Sequence, residues 1–160
     1  VENAQELTYL LNLEDKIDLN LLLAACYLHD LTYASNPFFL KAYIFEGKLV
    51  QKPAQQVLES VGIELPERQA ILHALKNHPH SFPFKSLNKD QDLYSSLLQD
   101  ADTIDVFDED RLKKLFHSFG IKNRIIKSFV KFGFENLEDY LNFPSVADHF
   151  RAKYMETQTV

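Results

Sequence analysis

His29 and Asp30 close the most hydrophobic run of the chain, Leu21 to Leu28. A carboxylate at the end of such a run is costly to bury unless a metal, a basic side chain or a set of hydrogen-bond donors compensates its charge. If the run is a helix, its carbonyl end draws a cation to the same place. A second concentration of charge, Gln99-Asp100-Ala101-Asp102-Thr103-Ile104-Asp105, sets three carboxylates into an apolar helical stripe. They repel one another unless a cation lies among them. The third feature is His73, His78 and His80, at the end of a helical pattern and in the loop that follows. Imidazole and carboxylate together suit manganese, iron, nickel or zinc, and less often magnesium. None of these spacings is a motif by itself, and it is their combination that points to a divalent cation.

Read in order, three segments carry a resemblance. They are Ala24-Ala25-Cys26-Tyr27-Leu28-His29-Asp30, Ala70-Ile71-Leu72-His73-Ala74-Leu75-Lys76-Asn77-His78 and Leu98-Gln99-Asp100-Ala101-Asp102-Thr103-Ile104-Asp105. Together they make the chain, from Val1 to about Phe107, resemble the HD-domain superfamily of metal-dependent phosphohydrolases. The resemblance implies a bound divalent metal (manganese, iron, nickel, zinc or magnesium) and hydrolysis of a small phosphorylated substrate, a phosphomonoester or phosphodiester, nucleotides included. It carries over His29 and Asp30 as paired metal ligands and Asp102 as the distant one. His78 is similar to a further histidine that some members use for a second metal or for the substrate phosphate.

Two departures accompany the resemblance. The family's first ligand is a histidine early in the preceding helix, and no histidine precedes His29. The matching place falls just before Val1, and Val1 to Leu7 reads as the middle of a helix, so we expect residues upstream. Many members also follow the His-Asp pair with Ile-Gly-Lys, where this chain has Leu31-Thr32-Tyr33; a lysine-dependent subclass is disfavoured. An alternative reading is therefore an HD-like module that has lost a ligand and serves ligand sensing or protein interaction.

With a complete site, the mechanism implied is metal-assisted hydrolysis. Asp102 or Asp105 can orient the attacking water, and His78 or His80 can protonate the leaving oxygen or hold the phosphate, helped by Lys76 or Lys85. On a helical wheel Asp105 falls nearer the Leu97, Ala101 and Ile104 stripe than Asp102 does. We keep Asp102 as the ligand on the resemblance and Asp105 behind it. Bland roles stand beside these: a solvated acidic face for at least one of the three aspartates, packing or surface positions for His73, His117 and His149, and a buried hydrophobe for Cys26. A plain helical adaptor would leave the His29-Asp30 end unexplained.

The elements that must hold these residues are helices, because apolar positions recur at helical spacing almost throughout. We expect an all-α fold, one compact multi-helix domain over residues 1–160. The first helix runs over Val1 to Leu13, and the second follows Asp18 as N-cap and forms the centre of the bundle. Next come a short helix from Phe38 to Phe45 stopped by Gly47, a helix from Ala54 to Val61 opened by Pro53 and stopped by Gly62, and one from Glu67 to Asn77 opened by Pro66. Pro79 ends that last helix near His78. Asn88 caps the long helix that runs through Leu93 to about Phe107. Three short pieces punctuated by Gly120, Gly133 and Pro144 follow, the last capped by Ser145.

Composition narrows the function further. At 160 residues the chain suits one core, and its net charge of −6 argues against extended nucleic acid or an anionic membrane surface as partner. No apolar run is long enough to span a bilayer, and no basic start followed by an apolar stretch marks an export signal within these residues. The lone cysteine, Cys26, allows no internal disulfide. We expect a soluble cytoplasmic protein.

Overall fold

Asp18 and Asp92 start the two helices that carry most of the charge of interest. Asp18 accepts a hydrogen bond from the Asn20 amide (2.8 Å), and Asp92 accepts from the amide and hydroxyl of Ser95 (2.8 and 2.6 Å). Each satisfies an amide that a helix start leaves without a partner. The computed structural model describes residues 1–35, 45–78, 85–88, 92–107, 128 and 131–157. Among these, all regular structure is helical and no strand occurs, as the periodicity predicts.

The elements are α1 (Glu2–Leu10), α2 (Leu19–Leu28), α3 (Leu31–Ser35), α4 (residues 45–49), α5 (Gln51–Ser60), α6 (Leu65–Asn77), α7 (Leu93–Val106), α8 (residues 131–135) and α9 (Ala147–Thr157). Two 3-10 turns, Leu137–Tyr140 and Pro144–Val146, join α8 to α9. Helix α7 packs against α1, α2 and α6, and α6 packs in turn against α2 and α5. Every residue of α7 from Ser95 to Ile104 is buried, polar ones included. The centre of the bundle is therefore α7 and not α2, on which Tyr27 is 71% exposed. The apolar run of α2 reflects packing on several sides at once, but its outer edge meets solvent.

Core side chains from Ala4 to Phe150 form one contiguous cluster, so the segment after α7 shares the core of the segment before it. A buried polar seam makes the join. Asp100, fully buried, accepts hydrogen bonds from the Asn142 amide and side chain (both 2.8 Å) and from the Phe143 amide (2.9 Å). Burial pushes the Asp100 pKa up to about 6, although these donors favour the ionised form. Neither Asp100 nor Asp102 is on a solvated acidic face.

Several punctuation residues act differently from their usual roles. Gly47 lies inside α4 and does not stop it. A Cβ there would stand 2.3 Å from the Lys76 carbonyl oxygen and 3.2 Å from that of Leu75, so the missing side chain lets α4 rest directly on the end of α6. Gly133 lies inside α8, where a Cβ would meet the Phe107 ring at 2.0 Å. Asn88 does not cap α7; its amide donates to Gln99 and Asn142 (2.9 and 3.0 Å), and Asp92 takes the cap. Ser145 sits within a 3-10 turn. Gly62, at φ +77°, ends α5 as expected. The expected helix from Phe38 lies outside the described residues up to residue 44, as do residues 79–84, Gly120, His80 and His117. No helix among the described residues is long and apolar enough to cross a membrane.

Candidate metal centre

Helices α2 and α6 end in the same way. His29 is the C-terminal cap of α2, and its Nδ1 donates to the Cys26 carbonyl at 2.6 Å. His78 is the C-terminal cap of α6, and its Nδ1 donates to the Leu75 carbonyl at 2.8 Å. A carbonyl oxygen can only accept, so Nδ1 carries the proton in both rings. That leaves Nε2 as the atom turned toward the protein interior, the arrangement in which a neutral imidazole binds a metal. The two rings meet edge to face with centroids 5.7 Å apart.

Two helices and the turn after α2 bring carboxylates toward these rings. Asp102 comes from the middle of α7 and is buried, with its Oδ1 3.4 Å from His29 Nε2. Asp30, half exposed at the rim, brings its Oδ1 to 3.3 Å from the same nitrogen. Glu46 comes from α4, which reaches this place because Gly47 seats it on the last turn of α6, beside His78. Glu46, His78 and Asp102 are all buried, and each offers a ligand atom within 4.8 Å of the others. That span is close to the width of a coordination sphere with bonds of about 2.0–2.4 Å.

The electrostatics follow from this crowding. Burial alone would lower the pKa of His29, but the hydrogen bond and charge of Asp102, then the charge of Asp30, override it and lift the imidazole to about 9. The phenol of Tyr33, one turn beyond His29, is held well above its ordinary range by burial and by the charges of Glu46, Asp102 and Asp30. Burial pushes the Cys26 thiol up to about 11. The cluster thus collects negative charge in a buried place and asks for a cation. The group of Glu46, His78 and Asp102, with His29 beside Asp102, fits a divalent cation.

The other residues singled out in the sequence lie elsewhere or outside the described residues. Asp105 is half-buried in the last turn of α7. His73 is exposed on α6, its Nε2 3.0 Å from the Asn77 side-chain amide. Lys76 is exposed, and Lys85 pairs with Asp139 and lies over the Tyr140 ring (5.5 Å). His149 is 2.7 Å from Glu6. Sequence reasoning missed Glu46 altogether. Its only signal is the glycine beside it, which reads as a helix stop until the partner surface is known.

Residues 2–106 match the family model of the HD domain. No curated protein and no solved structure matches the chain. The matched region takes in α1 through α7, hence His29, Asp30, Glu46, His78 and Asp102, and covers well over half of the sequence. The chain belongs to the HD-domain family.

Proposed function

We propose that this HD domain holds a divalent metal on His29, Glu46, His78 and Asp102, with Asp30 at the solvent-facing edge, and hydrolyses a phosphate ester. The observation that carries the reading is the buried group of Glu46, His78 and Asp102, with His29 Nε2 3.4 Å from the same Asp102 and each imidazole fixed by a backbone carbonyl at its Nδ1. A divalent ion there would supply positive charge for a phosphoryl oxygen and make water acidic enough to attack near neutral pH. Glu46 gives the set a fourth protein ligand without a histidine from the preceding helix. Manganese, iron, nickel or zinc suits this donor set better than magnesium.

The chain's own residues divide the remaining work. Asp30, half exposed and 3.3 Å from His29 Nε2, is the carboxylate assigned to accept a proton from water. His78 serves as ligand in this reading, since it is fully buried, and proton delivery to the leaving oxygen falls to His80 or to solvent. Asp105 backs α7 behind Asp102. Lys85, engaged with Asp139, is not assigned to the phosphate. The substrate is a small phosphorylated molecule, with nucleotides in the set to be screened, and residues 1–160 act as one domain.

The experiment is metal analysis of protein purified without chelator, followed by a screen of phosphomonoesters and phosphodiesters with manganese, iron, nickel, zinc and magnesium. Near-stoichiometric metal and ester hydrolysis, both lost in Asp102→Asn, are expected. Metal binding with no turnover across the screen would favour the alternative of a sensing or interaction module. Failure to bind any of these ions would remove the metal reading.

A further inference from the structure

Asp100 and Asp102 stand two residues apart on α7, about 200° around the helix, so their side chains leave it on nearly opposite sides. Both are buried. Asp102 brings its Oδ1 to 3.4 Å from His29 Nε2, at the end of α2. Asp100 meets the C-terminal segment, where two successive backbone amides hold both of its oxygens. Oδ1 accepts from the Asn142 amide at 2.8 Å, and Oδ2 accepts from the Phe143 amide at 2.9 Å. The Asn142 side chain adds a further bond to Oδ1 at 2.8 Å. Asn142 and Phe143 lie beyond residues 2–106, the stretch that matches the family, and the hydrolysis described above gives Asp100 no part.

A carboxylate held at one oxygen can swing about that bond, whereas one held at both by adjacent backbone amides cannot. The double grip therefore resists rolling of α7 about its own axis. Side-chain ends stand roughly 5–6 Å from a helix axis, so a roll of about 10° would carry the Asp102 carboxylate sideways by about 1 Å. A ligand or catalytic group has to be held to within about 0.5 Å of its working place.

We propose that Asp100 is a positioning residue of the metal centre: gripped by the Asn142 and Phe143 amides, it fixes the roll of α7 and so aims Asp102 at the cation shared with Glu46 and His78. The inference rests on the metal reading above and adds what aims one ligand, supplied from outside the matched stretch. The coupling is reciprocal, so metal on Asp102 also tightens the grip on Asp100.

The test is Mn2+ titration of the full chain in wild type, Asp100→Asn and Asn142→Ala, well below the metal-free melting temperature of each, which is recorded alongside. Asp100→Asn keeps the shape but turns an NH2 donor toward one of the two amides, so one half of the grip is lost. Its Mn2+ affinity should fall about 2–30-fold, the range of couplings carried through packed elements. Asn142→Ala removes a side chain that bonds Asn88, Gln99 and Asp100, yet leaves both backbone amides on Asp100. It should lower the melting temperature and bind Mn2+ as wild type does. Wild-type affinity in Asp100→Asn, or equal losses of affinity in the two variants, would overturn the proposal while the metal reading stands. A wild-type chain that takes up no Mn2+ would overturn both. Should Asp100→Asn fail to fold, hydrogen exchange of the wild-type chain carries the test. Mn2+ should slow exchange at the Asn142 and Phe143 amides by more than at the amides of α9, and slowing no greater than in α9 is the overturning result.

Discussion

His29 and His78 each donate Nδ1–H to the carbonyl three residues before, Cys26 for the first and Leu75 for the second, which leaves Nε2 of His29 3.4 Å from Asp102 and His78 grouped with Glu46 and the same Asp102. Both hydrogen bonds use carbonyls that a helix C-terminus leaves without an amide partner. The end of the helix therefore sets the tautomer, and the crossing of α2 and α6 sets the distance between the rings. A cluster built this way has its rings oriented before any ion arrives, and binding then requires His29, lifted to about 9, to give up the Nε2 proton that it shares with Asp102.

Metal should stabilise the native state directly, since the unfolded chain has no such cluster. At a free concentration of about 100 times Kd the linkage is worth about 2.7 kcal/mol, which raises Tm by about 5–10 °C for a domain of this size. Thermal unfolding with Mn2+ and with chelator measures it. Asp102→Asn should abolish the shift, because that carboxylate is buried at the centre of the cluster, and Asp30→Asn should reduce it less, because Asp30 is half exposed. A full shift in Asp102→Asn would remove Asp102 from the ligand set.

Glu46 and Gly47 mark where sequence reasoning stops. His29-Asp30 and the group of aspartates on α7 stand out because ionised groups at apolar helical runs violate local patterning, which is visible without a partner surface; the choice of Asp102 among them rests on the resemblance, since the helical wheel favours Asp105. The start of α2 was legible because Asp18, a capping residue, directly precedes its apolar run. Gly47 reads as a stop from its type alone; only the Lys76 carbonyl against it shows that its role is close approach. The cap of α7 was misread at Asn88 because several capping-type residues precede Leu93, and the choice among them depends on Asn88 being drawn to Gln99 and Asn142. The burial of Asp100 depends in the same way on Asn142 and Phe143, distant in the sequence.

Gly47→Ala should disturb both stability and the site. The added Cβ would meet backbone atoms of α6, 2.3 Å from the Lys76 oxygen, and backbone cannot turn aside as a side chain can. We expect a loss of about 1–3 kcal/mol in urea unfolding. Since the same contact seats Glu46 beside His78, Mn2+ affinity should fall as well. Gly62→Ala, at φ +77° with open space around it, should cost about 1–2 kcal/mol by backbone strain and leave Mn2+ affinity unchanged. Equal metal affinity in the two variants would show that the α4–α6 contact does not position Glu46.

The Asp100 seam predicts a large effect far from solvent. Asp100→Ala leaves the backbone amides of Asn142 and Phe143 without their buried acceptor, while the Asn142 side chain keeps Gln99 Oε1 at 2.8 Å. A loss of about 2–4 kcal/mol is expected. Hydrogen exchange should show the amides of Asn142 and Phe143 losing protection first. If those amides stay as protected as in wild type, the seam is not what holds the C-terminal segment to α7.

Glu6 gives a pH dependence with a definite sign. Its carboxylate accepts from Lys153 and from His149, which join α1 to α9. Burial would raise its pKa, but these two partners outweigh burial and hold it below the ordinary value of 4.5. A carboxyl whose pKa is depressed in the folded state adds stability that is present above its unfolded pKa and is lost as pH falls through the lowered folded value. Lys153 is 40% exposed, so solvent screens the pair and the contribution near pH 7 is only about 0.5–1 kcal/mol. Glu6→Gln should therefore be less stable than wild type by that amount at pH 7, with the gap closing below about pH 4 and also shrinking in 1 M salt. Chemical denaturation of the two proteins across pH measures the gap directly. A gap that persists unchanged at pH 3 would mean that Glu6 stabilises the α1–α9 contact through packing and not through charge.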